Sequence, residues 1–366
     1  TKHEVKAVEY FIKNIIKNNN LLNTSKELIH ICCTSEDINN IAYSLMIKEG
    51  RDLLIYQANT LQRTMKSMGK KYKNISMLSH THGQPASPTT MGKEFINFYR
   101  RLDAQIHDLS NIEIKGKFNG ATGNYSAHSV TYPKVNWPNT MRKFINSLKL
   151  EFNSHTTQIE PHDYIADLCH KINHINSILI GFSQDIWAYI SKNYFTQKNI
   201  KGEIGSSTMP HKINPINFEN AEGNLGMSNA ISNYFSNKLV ISRLQRDLSD
   251  STVLRNVGLV YAYSIVAYKN ISLGLSKLDI NKQKINDDLD ECWEILAEPI
   301  QMVARKYHIS NSYEYLKKYT RGKKVDKRVI EKIITNLHIP EKEKSRLLEL
   351  TPRKYIGYAN KLCDVK

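Results

Sequence analysis

Residues 205–215 (GSSTMPHKINP) concentrate groups suited to work on an anion. Glycine followed by Ser206 and Ser207 offers backbone freedom, consecutive N–H donors for an oxyanion and a hydroxyl that could become a base. Lys212 and Asn214 add donors. The same run leads into 216–224 (INFENAEGN), which brings Glu219 and Asn220. A plain linker between helices, the bland alternative, has no need of two serines, a lysine and an asparagine packed around two prolines.

Four other stretches are dense in polar and ionisable side chains. In 79–88 (SHTHGQPASP) two histidines are separated by one residue, a spacing that can bind metal, but no third ligand follows at a useful distance, so no metal site is expected. His82, beside Gly83 and two prolines, is read as sitting on a fixed loop where it could act as an acid near neutral pH. Residues 34–37 (TSED) read as a helix N-terminus; Thr34 and Ser35 serve either as a plain cap or as donors to a carboxylate. The glycines of 116–128 (GKFNGATGNYSAH) lack both a phosphate-loop ending and dinucleotide spacing, and a tight connection between helices is an equal reading. In 156–163 (TTQIEPHD), capping and a ligand contact by Gln158 stand level. Between Arg243 and Arg255, two arginines, Arg246 and Arg255, stand near Ser251 and Thr252; they either pair with Asp247 and Asp250 or grip a phosphate bidentately.

The elements that must position these groups are helices. Apolar residues recur at steps of three and four in Leu54, Ala58, Leu61, Met65 and Met68, in Ile172, Ile175, Leu179, Phe182 and Ile186, and in Val257, Val260, Ser264, Tyr268, Ile271, Leu275 and Leu278. Strand-like alternation is almost absent. The fold class expected is all-α: an elongated antiparallel bundle of long helices whose outer faces meet other subunits. After about residue 275, breakers at Pro299, Gly322, Pro340 and Pro352 and denser charge predict a smaller helical domain. The expected segments are 1–22, the remnant of an N-terminal helical domain, 23–274, the long-helix bundle, and 275–366, the C-terminal helical domain.

Composition narrows the function classes. With 40 % hydrophobic residues over 366 positions the chain can bury a sizeable core, and no apolar run approaches the roughly 18 residues that cross a bilayer. The five cysteines are odd in number and scattered, which suits a reducing compartment, and a cytoplasmic location is expected. Lys and Arg exceed Asp and Glu by 16, an excess suited to nucleic acid, an acidic surface or a polyanionic small substrate. Basic runs such as 321–328 (RGKKVDKR) contain no aromatics for base stacking and read as solvated helix ends, so no nucleic-acid partner and no membrane partner is expected. The chain opens with Thr1 in helix-like sequence, and a further N-terminal segment is expected upstream.

The 205–215 loop resembles the signature loop of the fumarase and aspartase superfamily, whose members eliminate fumarate from a succinyl-bearing substrate. Five further segments, 34–40 (TSEDINN), 81–85 (THGQP), 157–164 (TQIEPHDY), 218–224 (FENAEGN) and 243–255 (RLQRDLSDSTVLR), narrow the resemblance to the adenylosuccinate lyase family of bacterial-like type, in order and nearly end to end. The resemblance implies cleavage of adenylosuccinate to AMP and fumarate, and of the related carboxamide ribotide, without a cofactor. It implies Ser206 as general base, His82 as general acid toward the leaving nitrogen, and Glu219 orienting His82. Lys212, Asn214, Thr34, Ser35 and Ser207 would grip the succinyl carboxylates; Gln158 and Asn220 would hold substrate in register; Arg246, Ser251, Thr252 and Arg255 would take the nucleotide phosphate. A serine is too weak an acid to be a ready base, so backbone N–H groups and Lys212 must stabilise its alkoxide, and a loop opening on Gly is expected to close and expel water.

The family assembles as a homotetramer whose sites draw on three subunits, which implies that His82, Ser206 and the Thr34 segment come from different chains. Two departures stand out. The start of the chain reads Lys2-His3-Glu4 where the family usually has His-Asp, placing a side chain one methylene longer on the substrate side. The family's Arg-Tyr pair for the phosphate is absent from this sequence, which implies weaker substrate binding by the chain as given. The alternatives are a sister lyase acting on a succinyl compound without phosphate, which the 246–255 segment disfavours, an inactive relative keeping the scaffold, and a basic helical nucleic-acid binder.

Overall fold

The computed structural model describes residues 1–198, 200, 202, 208, 209 and 211–365. The apolar stripes fold as helices of unusual length: Ser35–Lys71, Met91–Ser110, Asp163–Ser191, Ile216–Lys238 and Val257–Ser276. The first spans 37 residues, about 55 Å at 1.5 Å per residue. Its start is fixed by one half of a capping box. Thr34 precedes the first turn, and Asp37, three residues on, accepts the Thr34 N–H at 2.9 Å. Lys70 and Lys71 occupy the last turn, where cations complement exposed carbonyls.

The stripes are the buried faces. Leu54, Leu61, Met65, Ile175, Leu179 and Ile271 have no solvent exposure, and each such aliphatic side chain contributes about 1.5–3 kcal/mol on burial. Ser264 interrupts the third stripe for a reason the pattern did not show. Asn176 donates to Ser228 Oγ (3.1 Å) and Ser264 Oγ (3.0 Å) and accepts from Tyr268 OH (2.8 Å), while Ser228 donates to Val260 O (2.9 Å). This buried network joins three helices through groups that satisfy one another.

The described chain divides into two compact units. One gathers Thr1–Asn59, Ala104–Ile180 and Asn220–Lys269; the other gathers Thr60–Asp103, Gly181–Glu219 and Asn270–Lys366. Each of the five long helices contributes residues to both. In the second unit, Tyr72, Phe95, Phe98, Phe182 and Phe195 form an aromatic cluster with several edge-to-face contacts. Gly69 and Gly92 let backbones touch there: a Cβ on Gly92 would lie 2.3 Å from Gly69 O.

The fold is all-α, as the periodicity predicts, with three two-stranded ribbons among the described residues. One of them corrects an expectation. The fixed loop expected to carry His82 is the tip of an antiparallel hairpin, and the segments beside it are strands where none was expected: β1 (Ser76–Thr81) and β2 (Gln84–Thr90), with Thr81 paired to Gln84. Both central residues are left-handed, His82 at φ 53° and Gly83 at φ 73°, the requirement of a two-residue type I′ turn, whose twist matches that of the flanking strands.

Candidate active site

In the first unit, the polar stretches converge on the first turn of the Ser35–Lys71 helix. Asp37 and Lys117 are wholly buried and paired, Lys117 Nζ to Asp37 Oδ1 at 2.8 Å. The carboxylate also accepts the backbone N–H groups of Asn119 (3.1 Å) and Gly120 (3.2 Å to Oδ2), so it ties the glycine-bearing 115–125 connection to the helix start. Lys117 Nζ donates a second bond to Gly120 O at 3.1 Å. Burial lowers the Lys117 pKa, with Asp37 pulling the other way. Asn40 holds the Lys117 peptide groups, accepting its N–H at 2.8 Å and donating to its carbonyl at 3.0 Å.

One residue earlier, Glu36 faces Arg246. Its Oε2 lies 3.4 Å from Arg246 Nη1, with the two side chains 5 % and 18 % exposed. The same Nη1 donates to Gln158 Oε1 at 3.2 Å, and Gln158 Nε2 donates to Ala121 O at 3.0 Å. Arg246 Nε is buried with no hydrogen-bond partner. Burial pushes the Glu36 carboxyl up to about 7 against the pull of Arg246, and buried Asp250 adds to the rise. Nearby, Glu160 is pushed up to about 7 by burial although Asn153 Nδ2 and the His162 N–H both donate to it. The buried His162 imidazole is held below its usual range by the same desolvation, which Asp250 opposes.

The chain start lies against this cluster. His3 caps the Glu4–Ile16 helix, its Nδ1 accepting from Lys6 N, and its Nε2 lies 3.4 Å from Ser35 Oγ. Arg255 Nη2 donates to Glu4 Oε1 at 2.8 Å. Lys2 is exposed at φ 51°. Ser251 and Thr252 open the short Ser249–Leu254 helix, and Ser251 N donates to Asp250 Oδ1 at 2.7 Å. Asn220 is exposed, and its Oδ1 accepts from Asn224 Nδ2 at 3.1 Å within its own helix. The ion-pair alternative for the two arginines is therefore not realised as drawn: Arg246 takes Glu36 and Arg255 takes Glu4, while Asp247 pairs with Arg243.

In the second unit, His82 is exposed at the hairpin tip. Glu219, in the first turn of Ile216–Lys238, accepts from Trp187 Nε1 at 3.1 Å, so within one chain it is engaged by an indole rather than by His82. Lys212 is exposed and its N–H donates to Met209 O at 3.0 Å. Gln197 Nε2 holds Ile213 O at 2.8 Å, beside the half-buried Asn214. Ser206 and Ser207 lie outside the described residues. Among the described residues no cluster of three or more His, Cys, Asp or Glu could hold a metal ion, and no helix is long and apolar enough to cross a membrane.

Sequence reasoning missed Glu36, Asp37 and Lys117 as parts of the site. Both acids read as ordinary first-turn residues, and nothing local marks Lys117 as the one lysine of its stretch to be buried whole.

Comparison with known proteins bears on the whole chain. A family model described as Lyase matches residues 1–229, and one described as Adenylosuccinate lyase C-terminal matches residues 242–356. The curated adenylosuccinate lyase of Buchnera aphidicola subsp. Schizaphis graminum (strain Sg) is 56 % identical over 365 residues, covering 100 % of this chain and 80 % of the relative. That of Escherichia coli (strain K12) is 50 % identical over 365 residues with the same coverage. Among solved structures, the 3-carboxy-cis,cis-muconate lactonizing enzyme from Pseudomonas putida superposes with a TM-score of 0.78 at 17 % identity, over 97 % of this chain and 79 % of that one. The fumarate lyase from Mesorhizobium sp. BNC1 gives 0.75 at 17 % identity, over 93 % and 78 %. Those two establish the helical fold alone. The identity across the whole of this chain, together with models matched over residues 1–229 and 242–356, makes this chain a member of the adenylosuccinate lyase family, in the fumarase and aspartase superfamily.

Proposed function

We propose that the chain is a carbon–nitrogen lyase that eliminates fumarate from adenylosuccinate to give AMP, and from the succinyl-carboxamide ribotide SAICAR to give AICAR. The observation that carries this reading is 56 % identity, across the whole chain, to a curated adenylosuccinate lyase. Ser206 removes a proton from the carbon next to a succinyl carboxylate, leaving a carbanion whose charge spreads into that carboxylate; its electron pair then forms the new double bond as the C–N bond breaks. His82 gives its proton to the departing nitrogen, oriented by a Glu219. Thr34, Ser35, Ser207, Lys212 and Asn214 hold the carboxylates, Gln158 and Asn220 keep the register, and Lys2, His3 and Glu4 line the substrate side. Arg246, Arg255, Ser251 and Thr252 take the phosphate.

Several features support these roles. The type I′ turn puts the His82 imidazole on a rigid tip, clear of its own chain. The Gln158–Arg246 and His3–Ser35 contacts join four of the named residues in one unit. The lack of a His82–Glu219 bond within the chain fits a homotetramer whose sites draw on three subunits. The same reading keeps the chain cytoplasmic, without cofactor or nucleic-acid partner, and divided at residues 22 and 274.

The test is fumarate release from adenylosuccinate by purified protein carrying His82→Asn or Ser206→Ala. Asparagine tolerates the left-handed turn, so His82→Asn removes the acid while sparing the hairpin. Turnover should fall by about 10²–10⁴-fold with the melting temperature unchanged. Undiminished turnover in either variant refutes the roles, and fumarate released only from a succinyl compound without phosphate refutes the substrate.

A further inference from the structure

An arginine binds a phosphate or carboxylate best with two parallel N–H groups, and it has two edges able to do so. On Arg246 one edge is spoken for. Nη1 lies 3.4 Å from Glu36 Oε2 and 3.2 Å from Gln158 Oε1, both from segments that are themselves tied down: Glu36 in the first turn of the 37-residue helix, Gln158 through Ala121 O. The other edge is empty. Nε is buried without a hydrogen-bond partner, and the hydrogen bond that Arg246 makes to Gln158 uses Nη1. A buried guanidinium N–H left unmatched is unfavourable, and such a group calls for an explanation.

We propose that Glu36 is a positioning residue, which with Gln158 fixes Arg246 by Nη1 so that the Nε–Nη2 edge is left to take two oxygens of one substrate anion. This rests on the reading above, in which Arg246 meets the nucleotide phosphate. Glu36 itself touches no substrate. It acts by removing the rotamer freedom of a long cationic side chain before substrate arrives, which strengthens binding without new contacts. The charged groups facing Glu36 are Arg246 and Lys117, which favour its ionised form, and Asp250 and Asp37, which oppose it; Tyr43 and Tyr164 lie close enough to feel its charge. With burial holding its carboxyl near 7, Glu36 gains its charge, and its hold on Arg246, as pH rises through neutrality.

Steady-state kinetics on adenylosuccinate test this. Glu36→Ala should raise KM roughly ten- to a hundredfold with kcat within about threefold, since the anchor acts on binding common to ground and transition states. Glu36→Gln retains an acceptor oxygen for Nη1 and should recover most of the KM; where the alanine variant fails to fold, the pH dependence of KM in Glu36→Gln carries the test. In the parent, KM should fall as pH rises from 6 to 8 more steeply than in Glu36→Gln, because substrate phosphate titrates identically in both. In an Arg246→Gln background, Glu36→Ala should have no further effect on KM. Arg246→Gln with unchanged KM overturns the phosphate reading itself. A raised KM in Arg246→Gln, with Glu36→Ala at parental KM or adding its full effect in the double variant, overturns the positioning role and leaves that reading standing.

Discussion

The buried Asp37–Lys117 pair sets a stability prediction that can be worked from its contacts. Both side chains have no solvent exposure, and Asp37 holds four donors: Lys117 Nζ at 2.8 Å, Thr34 N at 2.9 Å, Asn119 N at 3.1 Å and Gly120 N at 3.2 Å. Breaking a buried pair by deleting one partner costs about 3–5 kcal/mol, because the survivor is left charged and dry. Lys117→Met keeps the chain length and removes only the ammonium. Three backbone N–H groups still face the carboxylate, so the cost belongs at the low end, about 3 kcal/mol. Asp37→Asn is worse, at about 4–5 kcal/mol: Lys117 retains Gly120 O alone, and an amide NH₂ is turned toward N–H groups that need an acceptor. In the double variant neither charge remains, so it should cost at least about 2 kcal/mol less than the two singles summed. Urea denaturation at one fixed protein concentration, with slopes compared as well as midpoints, reads these differences while holding subunit association constant. A Lys117→Met variant within about 1 kcal/mol of the parent, or a strictly additive double variant, would refute the argument that the pair is an interdependent buried unit.

Two further outcomes follow from single sites. The Glu160 carboxyl keeps its proton in the folded chain up to about pH 7, against 4.5 for the free side chain, so the folded state binds more protons between those values and stability falls as pH rises through them, by up to about 3 kcal/mol for this group. Melting temperature plotted against pH should therefore decline less from pH 5 to 8 in Glu160→Gln, with Glu36 supplying a remaining slope; an unaltered slope excludes Glu160 as its source. Gly92→Ala should cost about 3 kcal/mol, because the new Cβ meets Gly69 O at 2.3 Å and Lys73 N at 2.5 Å, both backbone, whereas Gly274→Ala, facing the Phe218 ring at 2.8 Å, should cost less. Equal midpoints for the two variants would mean that the backbone at Gly92 yields as readily as a ring.

The helical core was legible because burial imposes a period. Leu54, Ala58, Leu61 and Met65, and Ile172, Ile175, Leu179, Phe182 and Ile186, fall on the buried faces as read. The hairpin was not legible, since β1 and β2 run through SMLSHT and QPASPTT without apolar alternation; the signal that stood in the sequence was the His82–Gly83 dipeptide, suited to a turn with two positive φ angles. The motif at 34–37 was legible as a cap, and Thr34 and Asp37 form it. What could not be read is which charge meets which. Glu36 and Arg246, or Asp37 and Lys117, are distant in sequence, and every lysine in a solvated stretch looks alike until the fold closes over one of them.

That pairing alters how the site meets an anion. At the helix start Asp37 takes the Thr34 N–H, and the two arginines nearby are paired with acids as well. They are held in opposite ways. The Arg255–Glu4 pair is 60 % and 78 % exposed, and ion pairs in that setting add little stability and yield readily to a better ligand. Glu4, one methylene longer than the aspartate usual in the family, holds Arg255 only in such an exposed pair. Arg246 cannot exchange Glu36 so easily, because releasing it would leave a mostly buried acid unpaired. The two arginines therefore differ in how firmly they are held, Arg255 by an exposed pair and Arg246 by a mostly buried one, a division that follows from burial alone.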